Sequence, residues 1–189
     1  MAEVLLYHHI QGLTDGVRRF ADELRGSGHT VHTPDLFDGL TFDSLDEGFG
    51  YVREVGFDKI RERGAAVADD LGQELVYAGI SFGVMIAQPL AQTRPGARGA
   101  VFLHSCLPVT EFGDAWPDEV PAQIHGKDSD EFFDEDLPAA RDLVDSAAGA
   151  ELFVYPGDQH LFTDSSLDAY DPQASALVLQ RVQAFLAEV

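Results

Sequence analysis

Leu75-Val76-Tyr77-Ala78-Gly79-Ile80-Ser81-Phe82-Gly83-Val84-Met85 is the stretch whose reading decides the fold. Apolar and β-type side chains lead into a Gly-x-Ser-x-Gly pentapeptide, after which Val84, Met85, Ala87, Leu90 and Ala91 recur at helical spacing. The pattern predicts a strand, a sharp turn and a helix. Small neighbours at Gly79 and Gly83 would let strand and helix approach closely, as a strained nucleophile turn requires. The Ser81 hydroxyl would then face a ligand at the helix N-terminus, with the Phe82 amide aimed at the same place. The bare pentapeptide also fits a turn without chemistry, so the rest of the chain has to carry the distinction.

The 189 residues, 45% of them hydrophobic, are enough for one substantial core and short for two, so a single domain over residues 1–189 is expected. A formal charge of −21, from 33 acidic against 12 basic residues, repels phosphate backbones and anionic membrane surfaces. Nucleic acid and membrane are therefore not expected as partners. Cys106 stands alone, which rules out an intrachain disulfide or a Cys-type zinc site. The start, Met1-Ala2-Glu3, lacks the basic residues and long apolar core of a signal peptide, and no run approaches about 18 consecutive apolar residues. A cytoplasmic protein is the expectation.

Val4 to His9 reads as a buried strand, and Val17, Phe20, Ala21 and Leu24 mark one face of a helix ending near Gly26 to Gly28. A second strand at His29 to Thr33 completes a unit that implies a right-handed parallel crossover. Residues 38–53 are polar, acidic and the least legible. Further elements follow: a helix from about Gly56 to Leu71, strands at Gly99–His104 and Ala122–Gly126, a helix from Leu137 to Ala147, a strand from Glu151 to Tyr155 and a helix from Ala174 to Leu186. Alternating strand and helix means a three-layer α/β architecture, a mostly parallel sheet with helices on both faces. Ligand sites in such a sheet lie beyond the carboxyl ends of the strands.

A serine needs a base to take its proton, and the base needs a third group to fix its tautomer. His160 follows the last strand in Tyr155-Pro156-Gly157-Asp158-Gln159-His160, and Asp128 and Asp130 follow the preceding one in His125-Gly126-Lys127-Asp128-Ser129-Asp130-Glu131-Phe132-Phe133. The order Ser, Asp, His is that of α/β-hydrolase triads. Either aspartate could serve.

Over nearly its whole length the chain resembles the dienelactone hydrolase family of α/β hydrolases. The likeness is carried by Tyr7-His8-His9-Ile10-Gln11-Gly12, Pro34-Asp35-Leu36-Phe37, the Gly79 to Gly83 turn, the loop from His125, and Tyr155-Pro156-Gly157 through His160. It implies Ser81 as nucleophile, His160 as general base and then acid, and an aspartate orienting His160. Asp130, standing before Glu131-Phe132-Phe133, fits the family's usual acid better than the alternative Asp128. The implied oxyanion hole is the backbone amides of Phe82 and Ile10. His9, Gln11, Phe37 and Trp116 are candidates for lining the substrate pocket.

The chain also departs from the pattern. The best-known members carry a cysteine nucleophile, a glutamate in the first loop and arginines that hold a substrate carboxylate; here stand Ser81, His9, and, shortly after His160, Thr163 and Asp164 in place of an arginine. The expected function is cleavage of a small ester, lactone or thioester through an acyl-serine, without a cofactor, and not of dienelactone itself. A monomer or homodimer acting on a small molecule fits this reading. The alternative is a non-catalytic binding or assembly module on the same fold. A Cys106 nucleophile and a metal held by His8 or His9 with His104 or His125 are weaker rivals, since adjacent strand residues point to opposite faces. Phe49 and Tyr51 are expected to bear on substrate preference more than on stability.

Overall fold

Alternation along the first strand sets the layers. In the computed structural model, which describes Met1–Val189, strand β1 (Glu3–Tyr7) sends Leu5 and Tyr7 into one apolar cluster and Val4 and Leu6 into another. Successive strand side chains point to opposite faces, so a strand buried on both faces reads as a continuous apolar run. Strands β2 (Thr30–His32), β3 (Val76–Ile80), β4 (Gly99–Leu103), β5 (Ala122–Lys127) and β6 (Ala150–Tyr155) complete a six-stranded sheet in the order β2-β1-β3-β4-β5-β6. Every pair is parallel.

Helices α1 (Asp15–Gly26) and α6 (Pro172–Glu188) cover one face through Val17, Phe20, Leu24, Val178 and Val182. Helices α3 (Phe57–Asp69), α4 (Val84–Thr93) and α5 (Glu131–Ser146) cover the other through Ile60, Ile86, Phe133 and Leu143. The chain leaves β1 toward β2 on one side and returns to β3 on the other. The strand order therefore reverses between β1 and β3, the place where open parallel sheets leave a crevice for ligands.

Two elements differ from the sequence reading. Helix α5 starts at Glu131, six residues before the expected Leu137, because Asp130 caps it by accepting from the Phe132 amide at 3.1 Å and acidic Glu131 and Asp134 suit the positive end of a helix. Residues 45–55 form a helix, α2 (Leu45–Val55), started by the Ser44 side chain, which accepts from the Glu47 amide. No helix is long and apolar enough to cross a membrane.

Four histidines, His8, His9, His104 and His125, are buried near the carboxyl edge of the sheet, and burial shifts three of them. Burial lowers His8 from its ordinary 6.5 to about 4 and His125 to about 3, and holds His104 well below 6.5 with neighbouring His160 adding to the effect. These rings are neutral in the fold but take up protons when unfolded below 6.5, so the unfolded state binds more protons and stability falls as pH drops from 6.5 toward 4. Each ring contributes a slope of about 1.4 kcal/mol per pH unit in that window. Urea melts at pH 7 and pH 5 should show a steep loss at the lower pH; equal midpoints would contradict the neutral, buried assignment.

Candidate active site

Ser81 directly follows β3 and opens a single 3-10 turn, Ser81–Gly83, that runs directly into α4. Its φ of 49° is left-handed, a conformation that costs a non-glycine residue about 1–3 kcal/mol. The turn is tight because its glycines allow it. A Cβ on Gly79 would lie 2.5 Å from the Gly83 carbonyl carbon, and one on Gly83 would lie 2.3 Å from the Tyr7 carbonyl oxygen. Two further left-handed residues, His104 after β4 and Leu161 after the β6 loop, border the same region.

The Ser81 Oγ lies 2.8 Å from His160 Nε2, and His160 Nδ1 lies 2.6 Å from Asp130 Oδ2. A carboxylate can only accept, so Nδ1 carries the proton, Nε2 is the acceptor, and the Ser81 hydroxyl donates. Asp130 is 1% exposed, and capping α5 with its other oxygen fixes its orientation. Asp128, the alternative acid, points elsewhere: its Oδ1 accepts from the Gly157 amide at 3.0 Å. It staples the β5 end to the loop that carries His160, together with the Ser129 amide on the Gly157 carbonyl. The buried Lys127 adds two bonds, from Nζ to Gln159 Oε1 at 2.6 Å and to Asp171 Oδ2 at 2.7 Å. His160 is thus held from both sides.

Ile10 lies in the loop after β1, outside every helix and strand, and its amide donates no hydrogen bond within the protein. Its neighbours pin the loop. His9 Nε2–H donates to Asp164 at 2.7 Å while its Nδ1 accepts from the Gln11 amide at 3.2 Å. Thr14 donates to the same Asp164 oxygen at 2.5 Å. Burial raises the Asp164 carboxyl, but the bonds from His9, Ser166 and Thr14 outweigh that and hold it at about 2. From above, Gly48 of α2 sits so close that a Cβ would lie 2.1 Å from the Ile10 carbonyl oxygen. Gly48→Ala should therefore push the loop aside, costing about 1–3 kcal/mol of stability and, in kinetic assays, about tenfold or more in kcat if the Ile10 amide binds an oxyanion. Wild-type kcat in this variant would separate the Ile10 amide from the chemistry.

Ser81, His160 and the loop face a hollow of about 280 Å³, lined also by Leu45, Phe49, Phe82, Met85, Phe132 and Asp136. A second hollow of about 470 Å³ shares Leu45 and His160 with it and is bordered by Gln11. Of the expected pocket residues, only Gln11 borders a hollow beside His160. His9 is fully buried beneath the loop by its bond to Asp164. Phe37 packs in the core against His8, Phe42, Tyr51 and Phe82, and Trp116 lies against Phe102 with its indole N–H on the Val120 carbonyl at 2.6 Å. Tyr51 is likewise a packing residue, its ring 5.1 Å from Phe37, so only Phe49 of that pair faces the hollow.

The remaining candidates are occupied by structure. His8 Nε2 accepts from the Leu36 amide on the side away from His9's partner Asp164, and no cluster of three or more His, Cys, Asp or Glu side chains is arranged to hold a metal. Burial, reinforced by the nearby Asp136, pushes the Cys106 thiol up to about 12, where it forms little thiolate at neutral pH. Sequence reasoning missed Met85, Ser105, Leu107 and Asp136; His104-Ser105 at the carboxyl end of β4 was the available signal.

The family model for the dienelactone hydrolases matches residues 2–189. The chain belongs to the dienelactone hydrolase family. No curated protein sequence matches it. Among solved structures, similarity extends to P91, a dienelactone hydrolase-like promiscuous phosphotriesterase from metagenomic libraries (22% identity, TM-score 0.79, 100% of this chain and 86% of that one). It extends also to a Klebsiella pneumoniae subsp. pneumoniae protein provisionally classed as a dienelactone hydrolase (19%, 0.75, 100% and 88%). A carboxyl esterase 2 from the mycorrhizal fungus Tuber melanosporum shares the fold at 13% identity and a TM-score of 0.67, over 99% and 77% of the chains. Dienelactone hydrolase family membership and the α/β-hydrolase fold make this chain a hydrolase in the coarse sense.

Proposed function

We propose that the protein is a serine hydrolase that cleaves a small ester, lactone or thioester through an acyl-Ser81 intermediate. The observation that carries this reading is the unbroken hydrogen-bonded line from Ser81 through His160 to Asp130. Ser81 Oγ attacks the carbonyl carbon as its proton passes to His160 Nε2, and Asp130 steadies the imidazolium that forms. The carbonyl oxygen, now an oxyanion, takes hydrogen bonds from the Ile10 and Phe82 amides; losing one such donor typically costs about 3–4 kcal/mol. Collapse breaks the bond to the leaving oxygen or sulfur, which takes the proton from Nε2. Water then attacks the acyl-serine by the same steps, with His160 again as base, and releases the acid. The scheme calls for no cofactor.

The two hollows suit the two halves of such a substrate. Ser81, Ile10 and Phe82 border only the smaller one, which would hold the acyl group, while the larger one, bordered by His160, would receive the leaving group that needs its proton. Neither is lined by Lys or Arg. A carboxylate-bearing dienelactone would therefore find no bidentate clamp. Steady-state rates on p-nitrophenyl acetate, butyrate and hexanoate beside dienelactone test the reading. Turnover of the short esters is expected, with kcat/KM on dienelactone at least about tenfold lower. Failure on every ester, or a preference for dienelactone, would overturn it.

A further inference from the structure

The acyl hollow has a chemical character of its own. Asp136 stands on its wall, half-buried, with Oδ2 accepting from the Ser105 hydroxyl at 2.6 Å and from the Cys106 amide at 3.2 Å. Its Oδ1 has no partner in the protein, so one carboxylate oxygen is fixed and the other is available to a ligand. Glu135 lies beside it on the same hollow. The aromatic rings of Phe49, Phe82 and Phe132 line that hollow too, and Phe49 and Phe132 remain 38% and 39% exposed. His104 borders it, 1% exposed, with Nε2 on Thr163 and Nδ1 unpartnered. Asp43 and Asp168 border the neighbouring hollow.

A carboxylate with a free oxygen, in a hollow lined by aromatic residues and by no Lys or Arg, is an environment that suits an ammonium group, through charge and through attraction to the negative face of the rings. We propose that the acyl group of the substrate carries a protonated or quaternary amine, held by Asp136 and the phenyl rings of Phe49 and Phe132. This inference rests on Ser81 as the acyl-accepting residue. The acidic walls exclude anionic acyl groups by the same field, which extends the argument from the missing arginine clamp to a positive preference.

Three p-nitrophenyl esters of matched shape test it: 4-(trimethylammonio)butanoate, its neutral isostere 5,5-dimethylhexanoate, and the monoester of glutarate. With each kcat/KM divided by that ester's rate with hydroxide, the wild-type protein should favour the ammonium ester over the neutral one by about tenfold or more and disfavour the glutarate. Asp136→Asn should bring the ammonium-to-neutral ratio to within about threefold of unity, and Phe132→Leu should lower it in the same direction. A wild-type ratio near one, or a ratio unchanged in both variants, would overturn the proposal. Phe132→Leu also serves if Asp136→Asn does not fold. Binding of butyltrimethylammonium to the Ser81→Ala variant, measured calorimetrically, separates the two readings. Ammonium binding that Asp136→Asn abolishes, without ester turnover in the wild type, leaves the site standing and removes the acyl-serine scheme. Turnover of the neutral ester without ammonium preference or binding does the reverse.

Discussion

Replacing Ser81 by Ala should lower kcat on an activated ester by about 10⁵-fold or more, and His160→Ala should lower it by a similar factor. Combining the two costs little beyond either, because a nucleophile without its base, and a base without its nucleophile, are both idle. The measurement is steady-state hydrolysis with protein purified free of host esterases. A second substitution at the same position separates chemistry from folding. Ser81→Gly also removes the hydroxyl, yet it relieves a backbone held at φ 49° and should raise stability by about 1 kcal/mol. A protein more stable without its serine is one whose fold tolerates strain to present that hydroxyl, which a binding module would have no reason to do. A Ser81→Gly variant less stable than wild type in urea would contradict this.

Asp130→Asn should lower kcat by about 10³- to 10⁴-fold while leaving the melting midpoint near that of wild type. Asparagine caps a helix about as well as aspartate, so α5 keeps its start at Glu131. What is lost is the obligate acceptor for His160 Nδ1–H: an amide can turn its NH₂ toward the ring, favouring the tautomer with the proton on Nε2, which cannot accept from Ser81. Asp130→Ala should lose the activity and about 1 kcal/mol of cap as well. Asp128→Asn is the control. Its Oδ1 holds only the Gly157 amide and the Ser129 hydroxyl, so its effect on kcat should be within about tenfold. A large loss in Asp128→Asn with little in Asp130→Asn would reverse the assignment of the acid.

How much of this was legible depends on where each residue sits. The β1–α1–β2 unit could be read directly, since Val17, Phe20, Ala21 and Leu24 all turn to one apolar cluster and the helix closes at Gly26 as its pattern indicates. The Ser81 turn was legible for the same reason: only a strand followed closely by a helix needs glycines on both sides of one residue. Helix α2 was hidden because its face is divided. Val52 goes to the core while Leu45 and Phe49 face the hollow, and Gly48 and Gly50 weaken its helical pattern. Yet Gly48 is there for close approach to the Ile10 loop, a tertiary contact no local period encodes. The start of α5 was masked by an acidic run that looked like solvated loop and proved to be the favourable first turn of a helix.

The lining of the hollow is set by contacts between residues far apart in sequence. Phe37 and Trp116 are large, apolar and near the right strand ends, but size and position in sequence do not say whether a ring turns inward to Phe82 and Phe102 or outward to a ligand. The same holds for His9. Its place in the loop suggested contact with substrate, whereas Asp164, 155 residues along the chain, draws it underneath. Nothing local distinguishes Asp136 from the other carboxylates of its segment, because its bonds to Ser105 and Cys106 span about thirty residues.

The most direct measurement is intact-mass analysis after exposure to a small fluorophosphonate, with Ser81→Ala and His160→Ala run alongside. One phosphonyl adduct on the wild-type chain, absent from Ser81→Ala and strongly slowed in His160→Ala, is the predicted result, since only an activated serine displaces fluoride at a useful rate. A folded wild-type protein that stays unlabelled, or an adduct that persists in Ser81→Ala, would contradict the assignment of Ser81 as the nucleophile.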